Sequence, residues 1–182
     1  MSCNTEKKVK KSIWFIICML VIGGTLGLLT SFGIAVVVEK TSDDKFCTMC
    51  HTMQPMADAY SADVHGGNNP MGIKVNCVEC HLPHDGLANY LFAKAQTGLH
   101  DFRVENFGDL DSINWEEKRK HAKHFVYDSG CMHCHVKLRD VTMSNPKAFI
   151  AHKEYFEKRT NKTCVECHNN VGHHNLGDYI KK

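Results

Sequence analysis

The chain has no sustained excess of one charge. Its 182 residues carry 22 Lys and Arg against 20 Asp and Glu, a net of +2. In the first twelve residues Lys7, Lys8, Lys10 and Lys11 stand against Glu6 alone, so that arm is +3 and the rest of the chain −1. A neutral body with a short basic arm argues against a nucleic-acid partner, which calls for positive charge spread along a groove or face. Apolar residues are also scarce outside one segment. They make up 43% of the chain, but 19 of them fall in the run Ile13 to Val38, leaving about 59 among the other 156 residues, eight of those the cysteines of repeated motifs. A core of side chains alone would be thin at that size, so something else must help fill it. No run alternates apolar and polar residues as a half-buried strand does.

Charge is absent altogether from Ser12 to Val38. As a helix, the 26 residues 13–38 extend about 39 Å, against a hydrocarbon thickness of about 30 Å. Trp14 lies near one end, where an indole suits the headgroup region. A cleaved signal peptide shares the basic arm, but its apolar region runs about 7–15 residues and ends in small residues of the A-x-A kind. This run is nearly twice that length and holds one alanine, Ala35. The expectation is an uncleaved transmembrane anchor over 13–38, preceded by a basic arm at 1–12. Lysines precede it and Glu39, Asp43 and Asp44 follow, so the positive-inside rule puts the arm in the cytoplasm. Everything from Thr41 onward is then outside, in the periplasm of a bacterium with a single-pass inner-membrane anchor.

The unusual abundance is of cysteine and histidine, 10 and 13 residues. Four C-x-x-C-H motifs follow the anchor: Cys47–Cys50–His51, Cys77–Cys80–His81, Cys131–Cys134–His135 and Cys164–Cys167–His168. Two thiols one helical turn apart can add to the two vinyl groups of a haem, and the next residue brings an imidazole beneath the iron. Zinc ribbons and thioredoxin-like sites also use C-x-x-C, but neither requires a histidine after every second cysteine. The motifs therefore predict four covalently bound haem c groups, whose macrocycles supply the missing core. Cys3 and Cys18 are left over; Cys18 lies within the span, as inert packing.

First cysteines are separated by 30, 54 and 33 residues, which predicts two dihaem halves, about 41–106 and 107–182. His65 lies twelve residues before Cys77, and His152 twelve before Cys164; both then read Cys-Val-Glu-Cys-His. The repeat suggests equivalent roles for His65 and His152. Helix signals occur throughout. Asn145-Pro146 is an N-cap and N1 pair opening a helix over 147–158. Trp115 to Val126 carries Glu116 and Glu117 early and Arg119, Lys120 and Lys123 later, matching the helix dipole. Leu87, Tyr90, Leu91, Ala95 and Phe102 form a stripe at helical spacing, and Gly66 to Pro70 marks a loop. The expected fold is all-α: one transmembrane helix and a small, haem-packed tetrahaem domain at 39–182.

Four irons have up to eight axial positions. The motif histidines offer four, and nine other histidines are candidates for the far sides. His133, between two attachment cysteines, must point away from its haem. His121 and His124 belong to a charged, solvated helix, and His84 reads as a packing group near the second haem. His65, His152 and His173 are better placed for ligation. A ligating imidazole normally has its second ring nitrogen held by a carboxylate or carbonyl.

The anchor, the four motifs, Met53 in Cys47-Thr-Met-Cys50-His51-Thr-Met53, and the pair Lys94 and Asp101 resemble the NapC/NirT/NrfH family of membrane-anchored tetrahaem quinol dehydrogenases. The likeness extends over essentially the whole chain. It implies that Met53 binds the first iron from the proximal side in place of His51. It further implies His81 and His152 on haem 2, His135 and His173 on haem 3, and His168 and His65 on haem 4. Because the chain has His152 and a long insertion between the second and third motifs, it resembles the NapC/NirT/CymA side of the family, with self-sufficient ligation.

The first haem departs from the pattern. His173 follows His168 by five residues, but the residue five after His81 is Gly86, and Cys47 comes only nine residues after Val38. Lys94 and Asp101 lie two turns apart on one helix and share a face. Quinol oxidation releases two electrons and two protons; Asp101 can accept a proton, and Lys94 can hold a quinol oxygen. From spacing alone, an ordinary pair on a solvated face is the better account, and the resemblance turns the balance toward the site. Three functions remain open at this level. One is a quinol dehydrogenase, of the menaquinol type, feeding a periplasmic nitrate, nitrite or other reductase in anaerobic respiration. Another is a passive electron-transfer or anchor subunit of a nitrite reductase complex, with no quinol site. The third is direct reduction of a small oxyanion or nitrogen compound at haem 1.

Overall fold

The computed structural model describes residues 3–180, with side chains from residue 10 onward. Cys3, Glu6, Lys7 and Lys8 of the expected arm therefore have no described side chain. The chain divides after Thr41 into two units. The first is a single helix, α1 (Cys3–Lys40). Its stretch Lys10–Lys40 is long and apolar enough to cross a membrane, and it contains the expected span 13–38. Bulky side chains such as Phe15, Leu20 and Phe32 are exposed around it, as lipid-facing residues are. Thr25 and Thr30 donate their hydroxyls to Val21 O and Leu26 O at 2.8 Å, so these polar groups need no water.

The second unit is built from short helices: α2 (Asp44–Cys47), α3 (Gln54–Ser61), α4 (Cys77–His81), α5 (Leu87–Phe107), α6 (Trp115–Lys120), α7 (Asp128–Cys134), α8 (Leu138–Val141), α9 (Pro146–Phe156) and α10 (Cys164–Cys167). Among the described residues there is no strand, only an isolated bridge between Gly66 and Lys74. The all-α expectation holds. So does the thin core: the buried apolar residues described are Ala59, Val78, Leu82, Ala93, Val165 and Leu176. On the long helix α5, Phe92, Leu99, Phe102 and Phe107 remain exposed to more than 60%. What protein-only core exists positions α5: Val78 and Leu82, in and just after α4, pack on Ala93 with Tyr90 against them.

The stripe from Leu87 becomes α5 as expected, and the helix stops at Gly108, where a Cβ would lie 2.5 Å from Val104 O. Asn145 caps α9, its side chain accepting from Ala148 N at 3.2 Å, with Pro146 in the first turn. The helix expected over 115–126 requires correction. α6 ends at Lys120, His121 leaves helical geometry, and a separate 3-10 turn covers Ala122–His124. Tertiary contacts outweigh the helical propensity: Arg119 donates to Asn169 O at 2.8 Å while Lys123 pairs with Glu166 at 2.9 Å, both around the fourth motif.

One contact recurs at the two ends of the unit. Asp44 accepts from Cys77 N at 2.8 Å, and Asp128 accepts from Cys164 N at 2.9 Å. Each aspartate stands three residues before the first cysteine of the preceding motif. The second oxygen of each is also held, by Lys74 Nζ and by Tyr155 Oη, both at 2.8 Å. In the same places Cys47 adjoins Cys77, and Cys131 adjoins Cys164. Between these two ends α4 packs on α7 so closely that a Cβ on Gly130 would sit 1.9 Å from Glu79 O. Tyr127 N donates to Cys80 O at 3.0 Å across the same junction.

Candidate haem and electron-entry sites

Motifs two, three and four place their cysteines on α4, α7 and α10, with the histidine in or directly after the helix. Helical geometry then points both thiols and the imidazole the same way. Each of these three histidines faces a second imidazole. Ring centroids are 6.2 Å apart for His81 and His173, 6.3 Å for His65 and His135, and 6.1 Å for His152 and His168. An imidazole bound to a metal through a bond of about 2 Å has its centroid about 3 Å from the metal, so two on opposite sides stand about 6 Å apart. All three pairs meet that separation.

The second ring nitrogens support the same reading. His81 Nδ1 lies 2.9 Å from Phe125 O, and His173 Nδ1 3.0 Å from Met56 O. His65 Nδ1 lies 3.2 Å from the buried Asp63 carboxylate, which also accepts from His65 N at 2.8 Å. Such partners fix the tautomer and leave Nε2 to the iron. His152 Nδ1 is buried without a partner, the one such side-chain atom among the described residues. Burial pushes His81 below the usual histidine range, the Phe125 carbonyl opposing, and pushes His173 down to about 4, helped by the neighbouring His81. Both imidazoles are thus kept neutral, the form that binds a metal. These residues fit haem iron.

These ring contacts follow a different pairing from the axial pairs that the resemblance implied. His173 faces His81 rather than His135, His65 faces His135 rather than His168, and His152 faces His168 rather than His81. Long-range packing brings these rings together. The C-terminal turn Leu176–Asp178 docks on α3, with Leu176 almost fully buried, and this carries His173 toward His81. His65 is tied down by Tyr60 Oη, whose single proton is shared between His65 O, 2.7 Å away, and Val75 O. His65 and His152 are therefore equivalent in sequence but not in partner.

Motif one is built differently. α2 ends at Cys47, Cys50 is extended, and His51 begins a 3-10 turn that ends at Met53. His51 belongs to none of the three pairs, and Met53 is half-buried. Glu105 on α5 pins this turn, accepting from His51 N at 3.0 Å and from the Thr52 hydroxyl. The Thr52 hydrogen bond is the main reason its carboxyl is held below the usual range.

Lys94 is half-buried on α5 and donates to Ser42 Oγ at 2.9 Å; that hydroxyl lies 3.1 Å from Tyr90 Oη. Burial pulls the ammonium below the ordinary lysine value, opposed by Cys47. Asp101 is exposed on the same helix, 3.1 Å from His100 Nδ1. The charges of both Lys94 and Asp101 reach the Cys47 thiol, so α5 presents both beside the first motif. Sequence reasoning missed Asp63, Glu105, Asp44 and Asp128. The last two were legible as an aspartate three residues before Cys47 and Cys131, a feature of the repeat.

Attachment cysteines in four sets, with imidazoles held in opposed pairs, are what a multihaem c-type cytochrome needs, and the fold defines that class. The comparisons narrow it. The model of the NapC/NirT cytochrome c family, N-terminal region, matches residues 9–178. The chain belongs to that family: it is a membrane-anchored tetrahaem cytochrome of electron transport, binding four covalent haem c groups. It is 33% identical to the tetraheme c-type cytochrome CymA of Shewanella oneidensis, covering 87% of this chain and 90% of that protein. It is 31% identical to the cytochrome c nitrite reductase subunit NrfH of Nitratidesulfovibrio vulgaris, covering 85% and 82%. Among solved structures it resembles a chain of the cytochrome c nitrite reductase NrfHA complex bound to the HQNO inhibitor. There the TM-score is 0.54 at 25% identity, over 86% of this chain and 90% of that one.

Proposed function

We propose that the protein is a quinol dehydrogenase: it oxidises a membrane quinol of the menaquinol type beside the first haem and passes electrons to a periplasmic terminal reductase. The observation that carries this reading is the Lys94 cluster. A half-buried ammonium, a tyrosine hydroxyl and an exposed carboxylate on α5, with the Ser42 hydroxyl bonded to the first two, suit a small oxygen-bearing substrate beside the first attachment motif better than a solvated surface. The four haems supply a series of one-electron acceptors. Lys94 donates to a quinol oxygen and stabilises negative charge as the hydroxyl proton leaves. Asp101, exposed on the same helix, accepts the two hydroxyl protons in turn, one with each electron transferred, and returns each to water.

The onward route follows the packing of the motifs. Cys47 adjoins Cys77, α4 adjoins α7 and Cys131 adjoins Cys164, so consecutive attachment points are neighbours from first to last. Three irons would be held by His81 with His173, His135 with His65, and His168 with His152, and the first by Met53. The haem domain lies on the periplasmic side in this reading, the basic arm on the cytoplasmic side. The likeness to a nitrite reductase subunit favours one alternative, an electron-transfer subunit with no quinol site of its own. The test mixes oxidised, detergent-solubilised protein with a reduced menaquinol analogue and follows the haem absorption bands. Rapid reduction, blocked by HQNO, is expected; absence of reduction, with dithionite still effective, would favour the alternative.

A further inference from the structure

We propose that Glu79, His84 and His133 form a divalent transition-metal site of the zinc class, at the junction of the second and third attachment motifs. Glu79 directly precedes Cys80 in α4, and His133 directly precedes Cys134 in α7. Between two attachment cysteines, a side chain points away from its own haem and is free for another task. The close approach of α4 and α7 at Gly130 brings these two side chains together. His84 joins them, its backbone N–H held by Ser129 Oγ at 3.0 Å from the α7 side.

Both imidazoles converge on one oxygen. His133 Nδ1 lies 3.3 Å and His84 Nε2 3.6 Å from Glu79 Oε2, and all three ligand atoms lie within 4.8 Å of one another. The His133 contact is within hydrogen-bond reach and the His84 contact is longer, so an ion entering between the three groups would replace both separations with metal bonds. The separations match the edge of a coordination tetrahedron: bonds of about 2.0–2.1 Å at tetrahedral angles place ligand atoms about 3.4 Å apart. His84 Nε2 also lies 3.4 Å from Val78 O, a weak contact that it can give up to an ion. The two rings are stacked, centroids 5.0 Å apart and 19° from parallel, so closing on an ion needs only small rotations.

Two imidazoles and one carboxylate make the donor set of zinc and similar ions, and the wrong one for calcium or magnesium, which take oxygen. His133 is 61% exposed and Glu79 31%, so an ion can enter from solvent and keep water in its fourth position. Neither histidine belongs to the three opposed pairs, so haem iron and this ion do not compete. A bound ion cross-links α4 to α7, the packing on which transfer between the second and third haems depends.

The experiment uses the full-length holoprotein in detergent, stripped with EDTA and titrated calorimetrically with zinc chloride. One zinc per chain is expected, with a melting temperature that rises with zinc concentration. Glu79→Gln and His133→Gln should each weaken zinc by more than about 100-fold, beyond the 10–100-fold that losing a supporting partner costs. A His121→Gln, His124→Gln double variant, removing a solvated histidine pair elsewhere, should bind as the parent does. X-ray absorption at the zinc edge of the unmutated protein should show two imidazoles, a result independent of how any variant folds. Unchanged affinity in both single variants, no stoichiometric zinc, or a zinc shell without two imidazoles would overturn the assignment.

Discussion

Replacing Lys94 with Leu removes the ammonium that donates to Ser42 Oγ at 2.9 Å while keeping similar bulk on the same face of α5. The effect on stability should be small. A hydrogen bond from a charged group contributes about 1.5–3 kcal/mol, but half-burial of this ammonium offsets part of that and solvent screens the rest, leaving about 1 kcal/mol or less. The sign of the pH dependence follows from the lowered lysine pKa. The folded state gives up its proton at lower pH than the unfolded chain does, so wild-type stability rises as pH climbs through that interval toward 10.5. Lys94→Leu lacks that rise. The effect on function should be large. A positioned donor aimed at developing oxyanion charge is worth about 2.7–4 kcal/mol, so quinol-driven haem reduction should slow by about 10²–10³. The assay is stopped-flow absorbance of the haem bands with a menaquinol analogue, and in parallel with dithionite, which bypasses the quinol pocket. Unchanged dithionite kinetics and haem content with collapsed quinol input is the expected pattern. Wild-type quinol rates in Lys94→Leu would refute the reasoning and remove that residue from the site.

Three further outcomes are expected. His65→Ala and His152→Ala should each keep four attached haems but turn one high-spin, on the His135 and His168 irons respectively; magnetic circular dichroism detects the change and a crystal structure assigns the haem. If His152→Ala altered the His81 haem instead, the ring pairing would be wrong. The first haem should have the highest potential, because a thioether ligand favours ferrous iron. A potentiometric titration with four equivalent bis-histidine haems would eliminate Met53. Gly130→Ala should be strongly destabilising, by about 1–3 kcal/mol or more, since its Cβ would meet backbone rather than a movable side chain. Normal thermal unfolding of that variant would show that α4 and α7 are not locked.

What could be read from the chain alone was whatever depends on neighbours in sequence. The apolar run 13–38 reports itself because a membrane span must satisfy its backbone internally and shed charge along its length. C-x-x-C-H reports haem attachment because both bonds and one axial ligand come from five consecutive residues. Asn145-Pro146 and the stripe from Leu87 announced α9 and α5 through capping and periodicity, which are local effects. The break at His121 escaped the same reasoning, since it depends on Arg119 and Lys123 reaching different points around the fourth motif.

The identity of each far-side imidazole is where local reasoning ends. Twelve-residue spacing makes His65 and His152 look interchangeable, yet one is bound to Asp63 and faces His135, while the other is buried against His168. His173 reaches His81 only because a turn at the C-terminal end packs on α3, joining Met56 to a ring 117 residues away. The meeting of Glu79 with His133 likewise needs two attachment helices packed at a glycine. The sequence by itself determined the anchor, the number of haems and one ligand candidate for each. Tertiary structure alone decided which imidazoles oppose each other, because that choice is set by packing between segments that share no local interaction.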